Sequence, residues 1–331
     1  MSRYLKSEAQ EWANLNIRGH WTTLVTPFTD DDHLDENGLR RNVRHVQKLG
    51  IRGVGCTWGM GEFWSLTREE RMRVYDIVNE EAVNGTLVAA HVTHTSIHEM
   101  IKLAMHAEKI GMDLLIVAAP YFVTKTESQV IEYVKVLSEI TSLAIMFYNS
   151  PQFGIVMSPN GLKTLCEIPN VVGVKEASFD RELSLDTHML IGDSAIISTP
   201  DEWILFKGVE MGFQQQVMFA NTSDWRFDRV GKNHYVNFIE RALSGDIDYS
   251  LYDGYIKPIK EISDRWWQQT VKKYNGVLPV TLCKYWGEIM GMAGGHVRLP
   301  LINFSSDDKK NLVSDISLIH KEAILPVGEL E

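Results

Sequence analysis

The chain has 331 residues, 44% of them hydrophobic, and carries a net charge of −10. That length and apolar share supply a full core and exceed what most single β-sandwiches use, while the acidic balance excludes nucleic acid or an anionic membrane as the main partner. Three scattered cysteines (Cys56, Cys166 and Cys283) without CxxC spacing, no long apolar run and no hydrophobic segment after Met1 make a protein of the reducing cytoplasm the expectation, with Cys56 a packed thiol.

Residues 1–18, with Glu8, Glu11 and Trp12, read as an N-terminal helical extension. From there short apolar runs alternate with amphipathic stretches. The strands expected in chain order are Trp21–Phe28, Gly53–Trp58, Leu87–Val92, Leu114–Pro120, Ala144–Asn149, Val171–Ala177, Ala195–Ser198 and Gln216–Ala220. Between them the spacing predicts helices over Glu36–Leu49, Arg68–Asn84, Ile97–Ile110, Glu127–Ile140 and Pro159–Glu167, with Gly50, Gly85 and Gly111 where C-caps belong. Thr67 and Glu70 form a capping box at the start of the second of these helices.

Near-continuous apolar strands joined by helices mean a parallel sheet covered on both faces. Eight of them close a barrel, whereas doubly wound sheets stop at about five or six. The expected fold is therefore α/β, a (β/α)8 TIM barrel over residues 19–245, followed by a C-terminal helical region over 246–331. In that region Leu251–Thr270, Pro279–Met292 and Ser306–Ala323 read as helices, and His296 and Arg298 as solvent-facing or interfacial.

On such a barrel the C-terminal strand ends share one cavity, here Thr26-Pro27, Trp58–Glu62, His91–His94, Pro120–Phe122, Tyr148–Gln152, Lys175-Glu176, Thr199–Asp201 and Asn221-Thr222. Lys175 stands out, because an unpaired ammonium in a buried strand is costly. Tyr148 ends the preceding strand, about 5 Å away in a sheet. Desolvation lowers an amine's pKa and raises the free-amine fraction that attacks a ketone, which suits Schiff-base chemistry with a phenolic proton carrier. The structural alternatives are a buried salt bridge from Lys175 to a carboxylate such as Glu176, and Tyr148 as a packing residue. In Trp58-Gly59-Met60-Gly61-Glu62, two glycines let backbone N–H groups approach an anion, although an ordinary strand-to-helix turn has the same composition. His91 and His94 lack companions at ligand spacing, so they are expected as hydrogen-bonding rim residues, with no metal and no organic cofactor. Trp58, Met60, Phe63, Trp64, Phe122 and Phe153 line up either as core or as a partly apolar pocket.

Four motifs carry a resemblance: Thr26-Pro27-Phe28, Gly61-Glu62 with Leu66-Thr67 and Glu70, Tyr148-Asn149 with Pro151, and Gly173-Val174-Lys175-Glu176-Ala177. Through them the chain resembles, from about Gly19 onward, the dihydrodipicolinate synthase / N-acetylneuraminate lyase family of class I pyruvate-linked aldolases. The resemblance implies Lys175 as Schiff-base lysine and Tyr148 as general acid/base. It also implies pyruvate (a 2-oxo acid) and an aldehyde as partners, and a homotetramer. Three departures matter. The family's loop hydroxyls are replaced by Gly59 and Met60, Phe122 follows Pro120-Tyr121 in place of a second tyrosine, and Phe153 stands where an arginine binds a second carboxylate. These exclude lysine biosynthesis. The expected activity is a Schiff-base aldolase or hydratase-aldolase joining or cleaving pyruvate and an apolar or aromatic aldehyde, with Trp58, Gly59, Met60, Gly61, Tyr121, Phe122 and Phe153 binding substrate. The alternatives are a 2-keto-3-deoxy sugar-acid dehydratase, which the Gly61–Thr67 stretch resembles, and a non-catalytic ligand-binding barrel, against which the pairing of Lys175 with Tyr148 argues.

Overall fold

The computed structural model describes residues 4–83, 85–276 and 278–319. A helix α1 (Ala9–Asn16) precedes strictly alternating strands and helices: β1 (Gly19–Thr23), α2 (Glu36–Lys48), β2 (Gly53–Cys56), α3 (Arg68–Glu81), β3 (Leu87–His91), α4 (Ile97–Ile110), β4 (Leu114–Ala118), α5 (Glu127–Ile140), β5 (Ala144–Asn149), α6 (Pro159–Cys166), β6 (Val171–Glu176), α7 (Arg181–Ile191), β7 (Ile196–Ser198), α8 (Trp203–Met211) and β8 (Val217–Phe219). All neighbouring strands pair in parallel, in the order β7-β6-β5-β4-β3-β2-β1-β8. This is the (β/α)8 TIM barrel. Every residue of β4 (Leu-Leu-Ile-Val-Ala) is buried, because barrel interior and helical shell cover opposite faces of each strand.

The last seam, between β7 and β8, is closed by side chains. Ser198 Oγ accepts from the Phe219 N–H at 2.8 Å. The Gln215 amide accepts from Thr199 N at 2.8 Å and donates to Thr199 O at 3.1 Å, standing in for a ladder partner. The two shortest strands thus stay in the barrel without a backbone ladder between them.

Several strands end earlier than the apolar runs predict: β1 at Thr23, β2 at Cys56 and β4 at Ala118. The surplus residues leave the ladder and turn over the mouth; Thr57, in the left-handed region at φ 54°, begins this just after β2. Thr67 and Glu70 make the expected capping box, and Gly111 caps α4 at φ 83°. Helix α3 stops at Glu81, with Ala82 already extended. Asn84, in the expected helix, lies outside the described residues, as do Met1–Arg3 of the N-terminal extension.

Beyond β8 come α9 (Ser223–Phe227), α10 (His234–Ala242), α11 (Tyr249–Leu251), a π-helical turn over Tyr252–Ile256, α12 (Lys257–Lys273), α13 (Val280–Ile289) and α14 (Ser306–Ile319). The π turn falls directly before Pro258, which lacks an N–H and crowds the carbonyl four residues back, so the chain widens there by one residue. The helix expected over Ser306–Ala323 is observed to Ile319, and residues 320–323 lie outside the described part. These helices bury Trp286, Leu312 and Ile316 with α8 and α10 in a second core beside the barrel. Among the described residues no helix is long and apolar enough to cross a membrane.

Candidate active site

In β5 and β6, Tyr148 and Lys175 are direct partners in the ladder, so both side chains project to the same side of the sheet, into the barrel mouth. Lys175 is 1% exposed, and its Nζ lies 4.8 Å from the Tyr148 ring centroid and 4.3 Å from that of Trp58. Glu176, the next residue, points to the opposite face. There Asn149 Nδ2 donates to its Oε2 at 2.7 Å and Ser178 N to its Oε1 at 2.9 Å. Among the described residues no carboxylate pairs with Lys175, so the salt-bridge alternative falls. Burial alone pushes the Lys175 amine down to about 7. Burial also pushes the Tyr148 phenol up to about 12, partly offset by a hydrogen bond with Ser150. The phenol thus stays protonated at neutral pH while much of the amine is free.

Trp58 fits over the strands because β2 is built with glycines: a Cβ on Gly55 would come within 2.3 Å of the Trp58 ring, and one on Gly53 within 2.2 Å of Trp21. Trp58 Nε1 is buried with no partner among the described residues. The turn that follows is held between two left-handed, non-glycine residues, Thr57 at φ 54° and Glu62 at φ 52°. Its hydrogen bonds run from Gly61 and Glu62 N–H to the Trp58 and Gly59 carbonyls, so the N–H groups of Gly59 and Met60 stand ahead of that pattern.

Both ends of the turn are pinned. On the β3 side His91 Nδ1 donates to Thr57 O at 2.9 Å, and the Arg71 guanidinium and Tyr75 hydroxyl both donate to the His91 carbonyl. His91 was expected at the rim; it is instead fully buried beneath the turn, and burial holds its pKa well below the ordinary value, keeping it neutral. His94 is half-buried and accepts from Ser96 N at 2.9 Å. On the other side Glu62, fully buried, meets the buried Lys284 of α13 at 2.5 Å and accepts from Arg298 N at 3.2 Å. Arg298, expected to face solvent or an interface, forks onto Glu70 at 2.7 and 2.9 Å and reaches Asp32, clamping the tail against the barrel. Burial raises the Glu62 pKa and lowers that of Lys284, each resisted by the other's charge. Removing one partner strands the other, so Lys284→Met is expected to cost about 3–5 kcal/mol in urea unfolding, with Glu62→Gln in the same chain recovering part of it. A Lys284→Met loss below about 1 kcal/mol would deny the pair its structural role.

The space beside Lys175 is small, about 10 Å³, enclosed by Trp58, Gly59, Met60, Tyr148, Asn221 and Trp267 among others. Two larger chambers border it. One, of about 310 Å³, is the more polar and shares Phe179, Asn221 and Trp267 with the lysine site; the other, of about 320 Å³, is mainly apolar, with Phe63, Trp64, Tyr121 and Phe153, and shares Gln152 and Leu278. Ten cubic ångströms accommodate roughly one water, so a keto acid at Lys175 must extend into a chamber or displace the Trp58 indole.

Of the residues expected to bind substrate, Trp58, Gly59 and Met60 line the lysine site, while Tyr121 and Phe153 line the apolar chamber. Gly61 sits behind the turn, its carbonyl accepting from Thr26 Oγ1 at 2.7 Å. Phe122 stands apart, at φ 72° and 85% exposed, outside the lining of all three spaces. Lys284 was missed although it carries the signal that marked Lys175, a lysine in an apolar run (Leu282-Cys283-Lys284-Tyr285-Trp286). Trp267 and Leu278 have no spacing signal, since only the fold brings them over the mouth. Among the described residues no cluster of His, Cys, Asp and Glu is placed to hold a metal.

Comparison with known proteins identifies the family and the fold. The family model described as the dihydrodipicolinate synthetase family matches residues 16–319. A 4-hydroxy-tetrahydrodipicolinate synthase of Methanothrix thermoacetophila is 28% identical over 89% of this chain and 95% of its own. An uncharacterized DapA-like lyase of Thermococcus onnurineus is 33% identical over 48% of this chain and 55% of its own. Among solved structures, YagE, a prophage protein of the dihydrodipicolinic acid synthase family from E. coli K12 in complex with pyruvate, superposes with a TM-score of 0.76 at 22% identity, covering 92% of this chain and 98% of that one. N-acetylneuraminate lyase from Mycoplasma synoviae superposes at 0.70 with 20% identity over 93% and 99%. With a family model spanning nearly the whole barrel and its C-terminal helices, this chain belongs to the dihydrodipicolinate synthetase family.

Proposed function

We propose that the protein is a Schiff-base lyase, an aldolase or hydratase-aldolase that joins or cleaves pyruvate and an aldehyde bearing an apolar or aromatic substituent. One observation carries this reading: a strand lysine, sealed from water and without a carboxylate partner among the described residues, whose amine titrates near 7 beside a protonated tyrosine. Lys175 Nζ adds to the ketone carbon, the carbonyl oxygen leaves as water, and the resulting iminium withdraws electrons from the neighbouring carbon. In the cleavage direction the bond to the aldehyde carbon breaks, the electron pair is held as an enamine, and the aldehyde is released. Tyr148 carries the protons to and from the departing oxygen groups. The N–H groups of Gly59 and Met60 receive the carboxylate, which the acidic surface would otherwise repel. The apolar chamber with Phe63, Tyr121 and Phe153 supports an apolar aldehyde substituent.

A second reading, dehydration of a 2-keto-3-deoxy sugar acid, is favoured by the hydroxyl and amide groups of the polar chamber, where Ser184, Thr199, Asn221 and Ser223 gather. Assembly as a homotetramer in the cytoplasm belongs to the first reading, and sedimentation velocity tests the tetramer. For the chemistry, the protein is incubated with pyruvate, reduced with borohydride and digested. An adduct on the peptide containing Lys175 is expected, and none in Lys175→Ala. An unmodified wild-type protein would end the proposal. An aldehyde panel then separates the two readings, since loss of a sugar acid with no aldehyde released selects dehydration.

A further inference from the structure

Trp21, Trp58, Trp225 and Trp286 are among the largest fully buried side chains. Three of their indole N–H groups have acceptors. Trp21 Nε1 donates to Arg18 O at 3.1 Å, Trp225 Nε1 to Thr23 O at 3.1 Å and Trp286 Nε1 to Arg226 O at 2.8 Å. Trp58 Nε1 is buried without an acceptor among the described residues. Thr23, the last residue of β1, is 2% exposed, and its Oγ1 likewise has no partner among the described residues. Both residues line the small space beside Lys175.

The two orphan groups are neighbours. Thr23 pairs with Gly55 in the ladder between β1 and β2, so its side chain rises on the face where a Gly55 side chain would stand. That place is taken by the Trp58 ring, whose atoms nearest to it, at 2.3 Å, are Cε2 and Cζ2. Cε2 is bonded to Nε1, so the donor edge of the indole lies beside Thr23. A buried hydroxyl or indole N–H is costly to leave unpaired, and such groups normally find a partner. The pair therefore points to an oxygen that arrives with the reaction. Size says which one. A space of about 10 Å³ admits one oxygen with its hydrogens and excludes a carboxylate, which has two oxygens. The indole only donates, whereas the threonine hydroxyl donates or accepts, and that combination suits a hydroxyl or a water.

We propose that Thr23 Oγ1 and Trp58 Nε1 hold the oxygen that the substrate ketone loses as water when it joins Lys175. The neutral Nζ adds to the ketone carbon, and one of its protons passes to the oxygen, giving a carbinolamine. The C–O bond then breaks as the Tyr148 phenol gives its proton to that oxygen. Iminium, water and phenolate result. Trp58 donates to the oxygen throughout, and the Thr23 hydroxyl accepts from it as it becomes water. In reverse the held water adds to the iminium carbon and returns a proton to the phenolate, so one pocket serves formation and hydrolysis alike. The inference rests on the Schiff-base reading and adds the two residues that receive the leaving oxygen.

The test times the adduct in both directions. Radiolabelled pyruvate quenched with borohydride at intervals gives the rate of adduct formation, and a chase with unlabelled pyruvate before the quench gives the rate of loss. Thr23→Val and Trp58→Phe are each expected to slow both rates about tenfold, the effect of one hydrogen bond missing from the transition state, while half-saturation of trapping stays within about twofold. Thr23→Ser, which keeps the hydroxyl, should recover most of the rate. Unchanged rates would make both residues packing groups, and a raised half-saturation at unchanged rates would assign them to the carboxylate; either result overturns the proposal. Should Trp58→Phe not fold, Thr23→Val against Thr23→Ser decides. If the wild-type protein yields no adduct, the Schiff-base reading fails by itself, and a crystal structure of the resting protein judges the pocket alone. A water bonded to both Thr23 Oγ1 and Trp58 Nε1 sustains it as a one-oxygen site, and any other arrangement overturns it.

Discussion

Replacing Lys175 by methionine is expected to abolish the reducible pyruvate adduct and, in the same protein, to raise stability. The unfolded chain holds the lysine proton up to about pH 10.5, the native chain only to about 7. Between those values the unfolded state binds more protons, so wild-type stability rises with pH across the window. Below pH 7 the full penalty of burying the ammonium is present; above 10.5 both states are neutral and it is gone. Lys175→Met should therefore unfold at a higher urea midpoint than the wild type at pH 6, by on the order of several kcal/mol, with the advantage nearly lost by pH 10. Wild-type trapping of pyruvate should rise with pH and level off just above 7, where the amine is free. A trapping rate still climbing at pH 10, or a methionine advantage equal at both pH values, would mean that the lysine is not held neutral by burial.

Tyr148→Phe isolates the hydroxyl. The ring beside Lys175 and its packing against Phe153, with centroids 5.3 Å apart, are kept, so fold and amine environment should change little. Turnover with pyruvate and a reactive aldehyde is expected to fall about a hundred- to ten-thousand-fold, the range associated with a positioned proton carrier. The borohydride adduct should still form on long incubation, because the nucleophile is untouched. Turnover within about threefold of wild type would reduce Tyr148 to the packing residue that its sequence position alone allows.

The two predictions depend on different levels of organisation. The Lys175 effect comes from desolvation, which is already implied by a lysine inside Val171–Ala177. The Tyr148 effect needs the phenol next to the amine, and that is a statement about register. The ladder makes Tyr148 the direct neighbour of Lys175, and a slip of one residue in either strand would have turned one of them to the outer face.

Length and alternation of apolar runs were enough for the barrel, because a parallel strand buried on both faces leaves an almost unbroken hydrophobic segment and each helix a periodic one. Ala144–Asn149, Ile97–Ile110 and Glu127–Ile140 were legible to the residue. Strand ends facing the mouth were not, since Pro120 or Trp58 is as apolar as the residues before it and only the missing neighbour stops the ladder. Likewise His91 and Arg298 carry polar side chains that sequence places at a surface; the fold instead surrounds both with backbone carbonyls and carboxylates.

By itself, then, the sequence determined the barrel, the order of its elements and the pair Lys175 and Tyr148 on which the proposed Schiff-base chemistry rests, because burial and strand periodicity are local properties. Tertiary structure alone decided what surrounds them. It brought Trp267 of α12 and Leu278 of the segment before α13 over the mouth, and tied Glu62 to Lys284. These residues lie tens to hundreds of positions apart with no common period. Their meeting follows from closure of the barrel and the docking of helices onto it, which no stretch of sequence encodes on its own.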